Sequence, residues 1–65
     1  MSAKFYNGLK FYCLEINESP ETAEQMEQEF RTKFESLGKY DQLILSGIIQ
    51  DQGFEAGFRE LKLVD

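Results

Sequence analysis

The sequence predicts a small α+β domain with the element order ββαββ, in which one amphipathic helix packs on a mostly antiparallel sheet of three to four strands. Three observations lead to this prediction: an Asn-Gly pair between two aromatic-rich runs, a Ser-Pro helix start followed by apolar residues at helical spacing, and a β-branched run before an Asp-Gln-Gly turn. The 65 residues are expected to form one domain, 1–65, because a chain of this length supports a single core.

The first hairpin is predicted from the aromatic residues near the amino terminus. Asn7-Gly8 is typical of a two-residue turn of type I′, because both positions tolerate a positive φ. We therefore expect a short strand at residues 3–6 to fold back on a longer strand at residues 9–16.

One helix is predicted between Ser19 and Gly38. Ser19 suits the N-cap, Pro20 suits the first helical position, and Gly38 is expected to end the helix with Lys39 beside it. The apolar residues of this segment recur at spacings of three and four, which predicts one buried stripe. They are Ala23, Met26, Phe30, Phe34 and Leu37.

A second hairpin is predicted in the remaining third of the chain. Residues 42–50 are rich in Leu and Ile, and Asp51-Gln52-Gly53 supplies a turn. Residues 54–64 are expected to return as the partner strand, with a bulge between Gly57 and Glu60 where the apolar alternation changes phase.

A homodimer is expected because both faces of this sheet would be apolar while a single helix covers only one of them. The predicted self-association surface consists of Tyr12, Leu14, Ile16, Ile44 and Ile48.

The charge is distributed unevenly. Six glutamates and no Lys or Arg lie between Glu15 and Glu29, whereas the formal net charge of the whole chain is −5. Such a balance disfavours direct binding to nucleic acid or to an anionic membrane and favours a partner protein with a basic surface. We expect the partner-binding residues on one side of the helix. They are Glu21, Glu24, Gln28 and Glu35, with Glu27 at the flank.

Catalysis is disfavoured by the composition. The chain has no His, which is the commonest general base, and no Gly-rich phosphate loop. The single cysteine, Cys13, is expected to be a buried apolar residue rather than a nucleophile. We predict no catalytic residue, no metal site and no cofactor, and we expect a cytoplasmic protein, because no apolar run resembles a signal peptide or a membrane span.

The sequence therefore predicts a non-catalytic protein-binding module, on the scale of a phage or mobile-element inhibitor or regulator, that presents an acidic helix to a basic surface. Two alternatives stay open. One is a DNA mimic whose glutamates imitate phosphates and inhibit a nucleic-acid-binding enzyme. The other is a structural or assembly protein that acts through its sheet face.

Overall fold

The computed structural model describes residues 3–64 and is helical. Its four helices are α1 (Ala3–Ile16), α2 (Pro20–Ser36), α3 (Lys39–Gln52) and α4 (Phe54–Glu60). No strand occurs in this range, so the prediction of an α+β fold with a ββαββ sheet is wrong. The segments 17–19, 37–38 and 53 join consecutive helices, and such short connections are typical of antiparallel helical hairpins.

The first hairpin of the prediction is instead one continuous helix, which passes through Asn7-Gly8 without a turn. Leu9 and Cys13 are fully buried, and Phe5 packs against the same core. These residues recur every four positions, so one side of a helix buries all of them together. The gain from this burial outweighs the local turn preference of Asn-Gly and the β preference of the aromatic residues, because β preference depends strongly on context.

The helix predicted after Ser19 is confirmed as α2. The Ser19 hydroxyl oxygen accepts hydrogen bonds from the backbone N–H groups of Glu21 at 3.2 Å and Thr22 at 3.4 Å, and Pro20 is the first helical residue. The predicted stripe is also confirmed. Ala23, Phe30 and Phe34 are buried, and Met26 and Leu37 pack against them.

The end of α2 differs from the prediction. The helix ends at Ser36, and Gly38 does not close it in a left-handed conformation but precedes α3 with φ −64°. Lys39 accordingly begins α3. The carbonyl oxygens of Phe34 and Leu37 accept hydrogen bonds from the Gln42 side-chain amide, at 3.0 and 3.3 Å. The Phe34 carbonyl also accepts from the backbone N–H of Leu37 at 3.1 Å. The Gln42 side chain of α3 thus adds hydrogen bonds to carbonyl groups at the end of α2.

The two strands of the predicted second hairpin are α3 and α4. Leu45 and Ile49 are buried on α3, at a spacing of four, and Gly57 and Phe58 are buried on α4. The predicted break at Gly53 is present, but it separates two helices. Gly53 has φ +92°, a conformation that residues with a side chain rarely adopt, and its N–H donates to the carbonyl of Ile49 at 2.7 Å.

The predicted bulge between Gly57 and Glu60 is also wrong, because this segment is helical. A Cβ atom on Gly57 would lie 2.7 Å from side-chain carbons of Ile49, so the glycine lets α4 lie close against α3. After α4, the N–H of Leu63 donates to the carbonyl of Phe58 and that of Lys62 to the carbonyl of Arg59. This is the Schellman pattern, and Lys62 occupies its left-handed position with φ +60°.

An aromatic cluster joins the α1–α2 pair to the α3–α4 pair. Phe30 and Phe58 have ring centroids 4.8 Å apart, and Phe5 lies 5.3 Å from Phe34 and 5.5 Å from Phe54. Offset and edge-on ring pairs at these distances stabilise a core beyond the burial of their area. The core therefore lies between the two helical pairs, and the outer sides of α1, α2 and α3 face solvent.

Candidate functional site

The outer side of α2 carries exposed acidic residues, as the sequence predicts. Glu21, Glu24 and Gln28 are all exposed and lie on the side opposite the buried stripe. Among the residues that the structure describes, neither Glu21 nor Glu24 has a cation within ion-pair distance. We call these three residues the acidic face of α2.

The other two predicted partner-binding residues already have partners within the fold. Glu35 accepts a hydrogen bond of 3.0 Å from the hydroxyl of Tyr6 on α1, and the guanidinium of Arg31 lies 4.3 Å from the centroid of the Tyr6 ring. The carboxylate of Glu27 pairs with Arg31 at 3.6 Å and is largely shielded from solvent. Glu35 therefore helps to hold α1 against α2, whereas Glu27 pairs within α2 with the arginine that stacks on Tyr6.

The environment of Tyr6, including its hydrogen bond to Glu35, changes the acidity of its phenol. Burial, followed by the hydrogen bond to Glu35 and the negative charge of that carboxylate, raises the pKa of the Tyr6 phenol above its ordinary value. The phenol therefore stays protonated at neutral pH and can donate to Glu35.

A shallow groove of about 300 Å³ lies between α1 and α2, beside the acidic face. We call it the α1–α2 groove. Its apolar lining comes from Leu14, Pro20 and Ala23, and Glu24 is one of its charged lining residues. Leu14 is half-exposed, and Phe11, one helical turn earlier, is 71% exposed. The complete lining is Lys10, Leu14, Pro20, Ala23, Glu24, Glu27 and Gln28.

Sequence reasoning missed this groove because it placed residues 9–16 on a strand. Had that segment been identified as a helix, Lys10 and Leu14 would share one side at a spacing of four. The groove itself forms where this side of α1 meets α2. How the two helices pack is not revealed by any local pattern in the sequence.

The structure separates the five predicted self-association residues. Tyr12 packs in the aromatic cluster, 5.7 Å from Phe54 and 5.6 Å from Phe58 between ring centroids. Leu14 and Ile16 are exposed on α1, whereas Ile44 is exposed and Ile48 half-buried on α3. The sheet face on which they were expected to meet is absent from residues 3–64, where these residues lie on two helices.

Cys13 is fully buried, on a helix rather than on the predicted strand. Burial, with a smaller effect from the negative charge of Glu27, raises the pKa of the Cys13 thiol to about 11. The thiol is therefore protonated at neutral pH, in a state that reacts slowly with electrophiles. Residues 3–64 contain no group of three or more acidic, Cys or His side chains placed to hold a metal ion.

Within residues 3–64, no helix combines the length and the apolar character needed to span a membrane. The candidate interaction surfaces described above are the acidic face of α2 and the α1–α2 groove next to it. Comparison of the chain with protein-family models, with curated proteins and with solved structures finds no match.

Proposed function

We propose that the protein is a non-catalytic binding module that presents the acidic face of α2 and the adjoining α1–α2 groove to a basic, partly apolar segment of another protein. The observation that carries this proposal is the position of Glu24. Its carboxylate has no cation within ion-pair distance among the described residues, and Glu24 lines a groove whose lining is partly apolar.

The requirements of helix stability account for only part of the acidic face. Glu21 lies in the first turn of α2, where the helix dipole favours a negative charge, whereas Glu24, three residues later, lies beyond that turn. Like charges three to four residues apart destabilise a helix by a few tenths of a kcal/mol per pair. Their presence is explained if they attract a positively charged partner and speed its association.

The α1–α2 groove adds an apolar contact surface to the charged residues of the acidic face. Protein interfaces generally have an apolar centre with a polar rim, and most of the affinity comes from a few buried side chains at the centre. Leu14 and Ala23 can form such a centre, and Glu24 lines the same groove. Glu21 lies outside the groove lining, nearly one helical turn before Glu24, on the exposed side of α2. A volume of about 300 Å³ is at the lower end of binding pockets, so it has room for an anchoring side chain rather than a whole folded element.

The proposal is tested with a synthetic amphipathic peptide of Lys and Leu as the probe, with its affinity measured by fluorescence anisotropy. The variant Glu21→Lys/Glu24→Lys is expected to bind at least about tenfold more weakly, because charge complementarity is reversed on the contact surface. The matched control, Asp41→Lys/Glu60→Lys, changes the net charge equally at exposed positions on α3 and α4. If both double variants lose the same affinity, net charge alone drives binding and the proposal fails.

Leu14→Ser separates the proposal from DNA mimicry. A groove that receives an apolar side chain loses affinity when Leu14 becomes polar, whereas a phosphate mimic depends on charge and on salt concentration. Loss of binding in Leu14→Ser supports the proposal. Unchanged binding in Leu14→Ser, together with a steep salt dependence, would favour the mimic instead.

A further inference from the structure

The outward side of α3 is apolar and exposed. Tyr40 is 76% exposed, Leu43 67% and Ile44 47%, and the three lie within five consecutive residues of α3. Gly47 and Asp51 continue the same side toward the end of α3. We call Tyr40, Leu43, Ile44, Gly47 and Asp51 the α3 face. Exposed apolar surfaces of this kind are typical of protein interfaces.

Gly47 has no explanation within the monomer. Glycine is among the least favourable residues in a helix interior, yet a Cβ atom at position 47 would meet nothing within 4 Å. The other two helical glycines differ, because a Cβ on Gly57 would clash with Ile49 and one on Gly8 would touch Phe54. The open space at Gly47 lies on the outer side of the fold, where only another molecule can use it.

The spacing of the α3 face matches the seam of a pair of packed helices. Residues 40, 44, 47 and 51 are separated by four, three and four positions, which is the spacing of the contact positions in a coiled coil. Leu43 and Ile48 flank this seam.

We propose that the α3 face binds a second copy of this chain, with the two α3 helices antiparallel and related by a twofold axis. Overlap over the whole length of α3 (Lys39–Gln52) places Ile44 of one copy opposite Gly47 of the other. The glycine then provides the space that the Ile44 side chain fills. By the symmetry of the pair, the same contact forms twice.

The charges on α3 favour this antiparallel arrangement. Lys39 lies at the beginning of α3 and Asp51 near its end. An antiparallel pair places Lys39 of each copy beside Asp51 of the other and opposes the two helix dipoles, whereas a parallel pair would place like charges together. Tyr40 also comes opposite Asp51 of the second copy, where its hydroxyl can donate to the carboxylate.

The small size of the chain limits any such interface. A specific interface buries at least roughly 1,000 Å² in total, which is on the order of 500 Å² per copy. That is about a tenth of the 4764 Å² surface of this molecule. We therefore expect the dimer to form in a concentration-dependent way.

The first test is sedimentation equilibrium at physiological salt, over protein concentrations from about 10 μM to about 1 mM, the range of weak complexes. We expect a monomer–dimer equilibrium for the native chain and a monomer for Leu43→Glu, whose side chain is too exposed for its replacement to unfold the protein. The matched control is Phe11→Glu, which changes an equally exposed apolar residue on α1 and should leave the dimer intact. A native chain that stays monomeric throughout, or a dimer that survives Leu43→Glu, overturns the proposal.

A charge exchange tests the antiparallel arrangement. Lys39→Asp and Asp51→Lys should each weaken the dimer several-fold, and the double variant should restore it, because the exchange recreates both opposite-charge contacts. Both substitutions also suit the helix dipole, so the helix itself is not put at risk. If the double variant loses as much free energy of dimerisation as the two single variants lose together, the antiparallel pairing is wrong. Far-UV circular dichroism of each variant shows whether the helical content is retained.

Discussion

The backbone of Lys62 is held in a left-handed conformation, with φ +60°, because this position closes the Schellman pattern after α4. A residue with a Cβ atom is strained there, whereas glycine is not. We expect Lys62→Gly to raise the free energy of unfolding by about 0.5–1 kcal/mol, measured by urea titration. Lys10→Gly is the control, since position 10 lies inside α1 and its replacement should cost about 1 kcal/mol. A loss of stability in Lys62→Gly would show that the left-handed backbone conformation of Lys62 is not strained.

The Cys13 thiol makes stability depend on pH in the alkaline range. Its pKa is about 11 in the folded protein, whereas an exposed thiol ionises near about 8.5. The contribution to stability is complete below the lower value, and it is lost as pH rises toward the higher value, because only the unfolded chain releases the proton.

We therefore expect the free energy of unfolding to fall between about pH 8.5 and about pH 11. The decline should be shallower in Cys13→Ala, and it should not vanish, because burial also raises the pKa values of Tyr6 and Tyr12. Urea titrations at several pH values measure the two slopes. Equal slopes in both proteins would show that Cys13 does not contribute.

At the scale of the helices, two glycines should respond to the same substitution in opposite ways. Gly47→Ala places a methyl group in open space on α3 and should raise the thermal stability of the monomer, by about 0.5–1 kcal/mol. Gly57→Ala forces a methyl group against Ile49 and should lower stability by about 1–3 kcal/mol despite its better helix propensity. Thermal unfolding at low concentration measures both changes. Equal effects would show that α4 does not pack closely on α3.

The substitution Gly47→Ala also tests the proposed α3 dimer. If Gly47 provides the space for Ile44 of the second copy, Gly47→Ala stabilises the monomer and weakens the dimer in the same molecule. Sedimentation equilibrium of this variant measures the second effect. A dimer that is strengthened by Gly47→Ala would mean that the helices do not approach closely at that position.

The helices differ in how far the sequence reveals them. For α2 the predicted start and the predicted buried stripe are correct because their signals are local: Ser19 as cap, Pro20 at the first position and apolar residues at helical spacing from Ala23 to Leu37. The predicted end at Gly38 is wrong, because Gly38 precedes α3. For α1 and α3 the Asn7-Gly8 pair and the Ile-rich run favour strands locally, and only tertiary packing reverses this. The buried positions 9, 13, 45 and 49 do lie at helical spacing, but alternation and helical spacing overlap in short apolar runs.

The interaction surfaces are likewise predictable from the sequence only where the periodicity of one helix determines them. The exposure of Glu21 and Glu24 follows from the periodicity of α2 alone. The hydrogen bond from Tyr6 to Glu35, in contrast, joins residues 29 positions apart and depends on the packing of α1 on α2. The same holds for the α1–α2 groove, and the α3 face could not be anticipated once Leu43, Ile44 and Gly47 had been placed on a strand.

At the scale of the whole molecule, the aromatic cluster should make the four helices unfold together. Phe30 touches rings from α1, α2 and α4, so a loss there weakens both helical pairs. We expect Phe30→Leu to cost about 1–2 kcal/mol, with coincident urea transitions by far-UV dichroism and by tyrosine fluorescence. Phe11→Leu, on the exposed side of α1, is the control and should stay within about 0.5 kcal/mol of the native value. Separate transitions for the two probes would show that the helical pairs unfold independently.

The short connections between consecutive helices also determine whether folding or dimerisation comes first. Helices that pack on their neighbours in sequence close small loops, and such topologies fold in microseconds to milliseconds. Two copies at about 10 μM that associate at about 10⁶ M⁻¹ s⁻¹ need on the order of 100 ms to meet. Folding therefore precedes encounter, and the proposed α3 dimer assembles from finished monomers rather than by exchange of helices between unfinished ones.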